Sequence, residues 1–438
     1  MKQETKTTLL QYASLASISV ISGILIGLIQ VALKYLFVGV ENVFEGSFET
    51  ILPLVFYSIS CVLIIFGFYI FFIQLKLNIG NSTAVLIRYL SNEKIKIYEY
   101  PSLLLGFFIS IFAGLPVGGV EVCQIVGIGL ASEAFKRTGI KDEDSFDSIS
   151  SATFGAAFMS PLAGLFHGLE ARKWKVSLQF ILKLAAAIVI TVGSCYLIKM
   201  PFRMQHSFIF RLVAIENFSW GSLWLYAFLG VAIGVSGFVI NLSSLKLNEF
   251  INKKKKWRKL KTIFTFLIIT VALVCTFFGF KNQWKYFFLA GFDGSRIIYN
   301  ISYFTNFGLL IGTLFLWIFY TLLIPHSHLV GGKIVPLMTL GGLIGLCFAF
   351  FGEGKNLITP HEQFLMVTTA MFALFGVSYK KPATAFALAI TFTTWSLIPY
   401  QLIPLLFTLA PGYLLMFFTK TPSLNECIGL SDSLRIEE

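Results

Sequence analysis

Charge is what this chain lacks most. Only 13% of its 438 residues are Asp, Glu, Lys or Arg, where a soluble domain carries about 25%. That shortfall excludes an ordinary water-facing surface over most of the molecule. Cysteine and histidine are scarce too, and neither is patterned. The six cysteines (Cys61, Cys123, Cys195, Cys275, Cys347 and Cys427) are scattered through mostly apolar stretches without metal-ligand spacing. They read as small core residues and leave the redox compartment open. His326 and His328 stand in i, i+2 order with no carboxylate nearby, too little for a metal pair, and read as lining a vestibule or interface. His167, on a glycine-rich helix face, reads as a satisfied interior histidine. No nucleotide-binding loop, zinc-protease motif or nucleophile elbow is present. A membrane-embedded enzyme built on Glu121, Glu170 and the histidines would need a polar cluster at metal or acid–base spacing, and the sequence holds none. No metal, cofactor or catalytic residue is expected.

What the chain does have is apolar length. Hydrophobic residues make up 56% of it, and the mean hydropathy is +0.79. Runs long enough to span a bilayer cover residues 8–33, 52–73, 177–199, 221–243, 261–280 and 307–325. About 20 apolar residues cross the hydrocarbon core as a helix. These runs are too long and uniform for barrel strands, the only other structure that satisfies its backbone in lipid. The sequence therefore predicts an all-α polytopic membrane protein, with the 47 phenylalanines facing lipid or packing the core. The first run has two lysines ahead of it and no small-residue cleavage site, so it reads as a retained span and not a signal peptide.

The net charge of +12 raises the question of nucleic acid, but its placement answers it. Much of the excess lies in the run Lys253-Lys254-Lys255-Lys256-Trp257-Arg258-Lys259-Leu260-Lys261, between two apolar spans. Basic residues beside spans stay on the cytoplasmic side and touch anionic lipid. Lys2 and Lys6, ahead of the first span, put the amino terminus on the same side. The first span then runs outward, and the span near Gly221, which ends at the lysine run, runs inward. The expectation is an inverted repeat of residues 8–205 and 218–418, joined at a polar break with Pro201, Arg203, Gln205 and His206. Residues 1–418 form one transmembrane domain on this reading, followed by a short polar tail, 419–438, with both termini cytoplasmic in the plasma membrane.

Paired breaks support the repeat. Val117-Gly118-Gly119 is followed by Phe154-Gly155 and Pro161; Val330-Gly331-Gly332 is followed by Phe375-Gly376 and Pro382. The glycine pairs are offset by 213 residues and the Phe-Gly pairs by 221, with six residues from glycine to proline in both halves. Interrupted helices at matching places in two halves mark a substrate site near the membrane midplane. The segments 101–115, 118–135, 148–170 and 364–390 are too short or too broken to span cleanly. Half-helices starting at glycines present bare N–H groups and a positive dipole end, which suits an anion.

At these same residues the sequence resembles the CLC family of chloride channels and anion/proton exchangers. Ala156-Ala157-Phe158-Met159-Ser160-Pro161-Leu162-Ala163-Gly164 is similar to the family's Ala-Ala-Phe-Asn-Ala-Pro-Leu-Ala-Gly stretch. Gly332-Lys333-Ile334-Val335-Pro336 resembles its Gly-x-Phe-x-Pro anion loop, and Leu340-Gly341-Gly342-Leu343-Ile344-Gly345 follows in pattern. Gly119-Val120-Glu121-Val122-Cys123 resembles Gly-Arg-Glu-Gly-Pro without its arginine and proline, and Gly80-Asn81-Ser82-Thr83-Ala84 stands where the family has Gly-Ser-Gly-Ile-Pro. The likeness covers residues 8–418 and marks a divergent, bacterial-type member without a cytosolic regulatory module.

The resemblance implies that Glu121 is the gating carboxylate; a shifted register puts Val120 there instead. An ionisable residue in an apolar segment is a functional candidate in its own right. It implies anion contacts from Asn81, Ser82, Gly119, Lys333, Ile334 and Val335; the family's coordinating tyrosine falls near Trp395 or Ser396, with Tyr400 a register away, so an indole N–H such as that of Trp395 or a hydroxyl would take its role. The inner proton-passing glutamate of the family's exchangers falls on Ala171, one residue after Glu170, so that proton site is lost. Lys333 replaces an apolar residue; it either deepens an electrostatic well beside the pathway or snorkels to the membrane face. The family implies a homodimer in the lipid bilayer moving chloride or another small monovalent anion, with no nucleic acid. The alternative within it is a fluoride/proton antiporter, whose branch also departs from the serine motif and lacks the inner glutamate.

Overall fold

The computed structural model describes residues 2–46, 52–74, 99–138, 142–204, 220–253, 259–279, 307–355, 357–358, 360–392 and 398–433. Its regular structure is helical. The first series of helices is α1 (Lys2–Gly46), α2 (Leu52–Gln74), α3 (Glu99–Phe112), α4 (Val120–Thr138), α5 (Glu143–Phe158), α6 (Pro161–Ala171) and α7 (Leu178–Lys199). The second is α8 (Leu223–Lys253), α9 (Lys259–Gly279), α10 (Phe307–Leu323), α11 (Ile334–Gly354), α12 (Pro360–Tyr379), α13 (Pro382–Thr391) and α14 (Ile398–Phe418). A last helix, α15 (Leu424–Ser433), follows. In both series the first helix is the longest and the sixth, α6 or α13, the shortest. Packing repeats as well: α1 lies against α7 and α8 against α14, while α5 packs on α7 and α12 on α14. The short helices α6 and α13 pack on each other between the two series.

Among the described residues, five helical stretches are long and apolar enough to cross a membrane: Leu10–Leu36, Leu178–Phe202, Trp220–Lys253, Ile334–Gly354 and Tyr400–Phe418. The expected interruptions explain the shorter ones. Residues 148–170 fall on two helices, because α5 stops at Met159 in the left-handed conformation (φ 53°) and Ser160 starts α6 with Pro161 in its first turn. Residues 364–390 break in the same way, at Lys380 (φ 54°) ahead of Lys381 and Pro382. Proline has no N–H to lose at the first helical position, so the motif ends one helix and begins the next. Gly155 permits the tight return: a Cβ there would sit 3.1 Å from Gly164 Cα and 3.0 Å from Ser160 O.

A polar side chain from an early helix closes each break. The Gln30 amide on α1 donates to the carbonyls of Ala156 (3.0 Å) and Ala157 (3.3 Å), and its oxygen accepts from buried Lys199 at 2.7 Å. Asn241 on α8 donates to Ser378 O at 2.9 Å and to Pro422 O at 3.0 Å. The Ala156, Ala157 and Ser378 carbonyls lie in the last turns of α5 and α12, where intrahelical donors run out. Leu424 and Cys427 of α15 are buried and Asn248 donates to the carbonyls of Cys427 (3.1 Å) and Ile428 (2.9 Å). The segment expected as a polar tail thus carries a docked helix, whose apolar face was hidden among its polar residues.

Candidate functional site

Two turns meet at the centre. The amide of Gly118 donates to Gly332 O at 2.8 Å, and the amide of Gly332 donates to Gly118 O at 2.6 Å, a single antiparallel bridge between the series. Gly331 holds φ 148°, and a Cβ there would lie 2.4 Å from Val117 Cβ. Only glycine meets both demands. The bridge sets the starts of α4 and α11 side by side, each with a first turn of N–H groups that no helical carbonyl accepts. Gly119 directly precedes α4, and Val335 is buried against Gly118. On α11, Gly341 backs onto α12, where a Cβ would sit 2.6 Å from Ala370 O, so the helix is held close from behind.

A cavity of about 190 Å³ opens at this junction. Glu121, Gln124, Ile125 and Ile128 line it from α4, and Ile334 from α11. Phe146, Asp147, Ser150 and Phe154 line it from α5, and His167 and Ala171 from α6. Phe375, Tyr379, Lys381 and Asn425 complete it.

Glu121 is the second residue of α4 and is 7% exposed. The hydroxyl of Tyr379 donates to its Oε1 at 3.4 Å. The Lys333 ammonium lies 5.9 Å above the Tyr379 ring, close enough for a cation–π contact. Lys333 is itself 2% exposed, with Glu121 in electrostatic reach. Of its two expected placements, the lysine takes the interior one and does not snorkel. Val120, the alternative gate residue, is fully buried and does not line the cavity.

Ala171 lines the cavity and carries no acid. Glu170 is turned to α13, where it accepts from the amides of Ala383 (2.7 Å) and Thr384 (3.0 Å). It caps a helix across the boundary between the two series.

His167 corrects an expectation. It stacks on Phe154 with ring centroids 4.2 Å apart and lines the cavity, but its Nδ1 has no hydrogen-bond partner among the described residues. The aromatic face provides packing without an acceptor, so the ring is interior yet not satisfied. His326 is buried, at 2% exposure, and is not among the residues lining this cavity. Cys123, Cys195 and Cys427 are buried, as expected of small core residues. Asn81, Ser82, Trp395 and Ser396 lie outside the described residues; Tyr400, which is described, is 37% exposed.

Sequence reasoning missed Gln124, Tyr379, Lys381 and Asn425. Lys380-Lys381 was a usable signal, because charges within an apolar segment are costly and functional by default. Asn425 gave none, since nothing local tells that the chain returns to the centre after Pro422.

The broken helices and their shared cavity define a polytopic α-helical membrane protein built on an inverted repeat. The family described as voltage gated chloride channel matches residues 80–415, and the chain belongs to that family. Among curated relatives, the H(+)/Cl(-) exchange transporter ClcA of Yersinia pestis bv. Antiqua (strain Angola) is 25% identical over 258 residues, 58% of this chain and 50% of that protein. ClcA of Vibrio cholerae serotype O1 (strain ATCC 39541 / Classical Ogawa 395 / O395) is 26% identical over 263 residues, 58% and 53% of the two chains. The match spans about half the length of these relatives. The fold is also that of a slow cyanobacterial Cl-/H+ antiporter, with TM-score 0.73 and 17% identity over 97% of both chains. A CLC-type fluoride/proton antiporter aligns with TM-score 0.62 and 14% identity, covering 95% of this chain and 97% of its own.

Proposed function

We propose that the protein carries a small monovalent anion, chloride first, across the membrane, with the anion held where α4 and α11 begin and with Glu121 as its gate. One observation carries this reading: a buried carboxylate stands in the first turn of α4, within a cavity that the first turn of α11 also lines. Uncapped N–H groups favour an anion, and a carboxylate at the same place competes with it when charged and yields when protonated. Gly119, Ile334 and Val335 supply backbone donors on this reading, and Lys333 adds positive charge behind them. Asn81, Ser82 and Trp395, which the family resemblance implies as anion contacts, belong to the same proposed pathway. Proton coupling is weak or unconventional, because Ala171 lacks an acid and Glu170 is engaged in capping α13. The protein works as a homodimer in the plasma membrane, with repeats at 8–205 and 218–418 and both termini cytoplasmic.

A second reading, fluoride/proton antiport, is favoured by the absence of an acid at Ala171, which the fluoride-exporting branch also lacks. Flux from proteoliposomes of the purified protein decides, with chloride or fluoride as the only permeant anion. Chloride flux supports the first reading, fluoride flux alone the second, and flux of neither overturns both.

A further inference from the structure

The two helix breaks are equivalent in backbone and different in chemistry. Met159 and Lys380 both close a helix in the left-handed region, at φ 53° and 54°, and the next residue opens the following short helix. In the first series that residue is Ser160, whose hydroxyl accepts from the Ala163 amide at 3.0 Å and so caps its own helix. In the second it is Lys381, and an ammonium has no lone pair with which to cap. The amides it leaves open are taken by Glu170 from α6, at 2.7 and 3.0 Å. The lysine is thereby released from the helix end and lines the cavity that holds Glu121.

Among the described residues the Lys381 ammonium makes no hydrogen bond and no ion pair, while Glu170 and His167 lie within its electrostatic reach. His167 shares the cavity, and its Nδ1 is also without a partner. A cation in a partly dry cavity is costly unless an anion joins it. Its field acts strongly there, because little water screens it.

We propose that Lys381 is a specificity-determining residue of the pathway: its ammonium holds a small monovalent anion in the cavity, at a station apart from the starts of α4 and α11, and Glu170 positions it by capping α13 from α6. This rests on the anion-transport reading. The sequence pattern fits the division of labour. A serine at 381 would cap its own helix and leave the cavity without this cation; the lysine requires the glutamate of the other series.

The test uses the full chain in two measurements, chloride titration of the detergent-solubilised protein by calorimetry and chloride flux in proteoliposomes. K381Q is expected to weaken chloride binding and raise the KM for flux about tenfold, the loss of one partly screened charge contact, with a smaller change in maximal rate. K381R is expected to stay near the parent. In a background without native cysteines, K381C should behave as K381Q until treated with an aminoethyl methanethiosulfonate, which restores a positive charge and with it the low KM. That rescue separates charge from folding. E170Q should raise KM in the parent and add nothing to K381Q. Unchanged binding and KM in K381Q, or no rescue of K381C, would overturn the proposal. A parent that moves no anion but binds chloride in a Lys381-dependent way would sink the transport reading and leave this station standing.

Discussion

Gly118 and Gly332 exchange two backbone hydrogen bonds, at 2.8 and 2.6 Å, although 214 residues separate them in the chain. The bridge is the mechanical joint of the site, since it sets the starts of α4 and α11 side by side. Its neighbour Gly331 should be intolerant of a side chain. Gly331→Ala places a Cβ 2.4 Å from Val117 Cβ at a φ of 148°, and we expect a loss of about 3 kcal/mol or failure to fold. Gly312→Ala, in an exposed stretch of α10 with nothing near its Cβ, should be neutral or stabilising by up to about 1 kcal/mol. Thermal unfolding followed by size-exclusion chromatography compares them; equal behaviour would remove the special role of the joint.

Glu121→Gln fixes the proposed gate in its neutral form. Anion flux in proteoliposomes should lose most of its pH dependence while the protein elutes as the parent does. A pH response matching the parent's would show that the gate lies elsewhere, Val120 being the register alternative.

Asp142, the N-cap of α5, pairs with Lys183 at 2.7 Å, and the two side chains are 6% and 3% exposed. Burial works against the Asp142 charge, but hydrogen bonds from Lys183 and Ser145 overcome it and hold the carboxyl below its ordinary value. A depressed carboxyl contributes stability above its unfolded pKa, about 3.9, and loses that contribution as pH falls through the folded value. The parent should therefore lose thermal stability as pH drops below about 4. Asp142→Asn keeps the cap acceptor but strands Lys183, at a cost of about 3 kcal/mol near neutrality, and its acid slope should be shallower. Parallel pH profiles of the two proteins would refute the assignment.

The basic run from Lys253 to Lys261 should face the cytoplasm. Cysteines introduced there, in a background without the native ones, are expected to resist membrane-impermeant thiol reagents applied to intact cells. Ready labelling from outside would reverse the orientation of α8.

An imposed chloride gradient should drive little uphill proton movement in sealed liposomes. Ala171→Glu puts a carboxylate on the cavity wall and should increase it. Stoichiometric proton pumping by the parent under a chloride gradient would contradict this, and the same result with fluoride alone would favour the fluoride reading.

Hydropathy made the long helices legible, and the Gly-Gly and Phe-Gly…Pro pairs marked where the short ones begin. Those signals are local: a left-handed closing residue, a proline in a first turn and a glycine under a crowded contact all leave their mark within a few positions. Glu170 shows where local reading stops. It was recognisable as displaced from the proton position, but its actual partners, Ala383 and Thr384, are more than 200 residues away. Asn425 and Lys381 reach the cavity through tertiary packing that no spacing rule records. The unsatisfied Nδ1 of His167 depends on what surrounds it in space, so a glycine-rich helix face misdirected the expectation.

Gln30 carries a consequence for how the protein is made. Its amide partners, Ala156 and Ala157, emerge 126 and 127 residues later, and Lys199 comes 169 residues later. Asn241 waits 137 residues for Ser378. An unsatisfied carboxamide in hydrocarbon is costly, so the native packing of α1 is complete only once α5 and α7 are made, and that of α8 once α12 is. We expect assembly to close in two bundles, each completed by the helix that relieves its first polar residue.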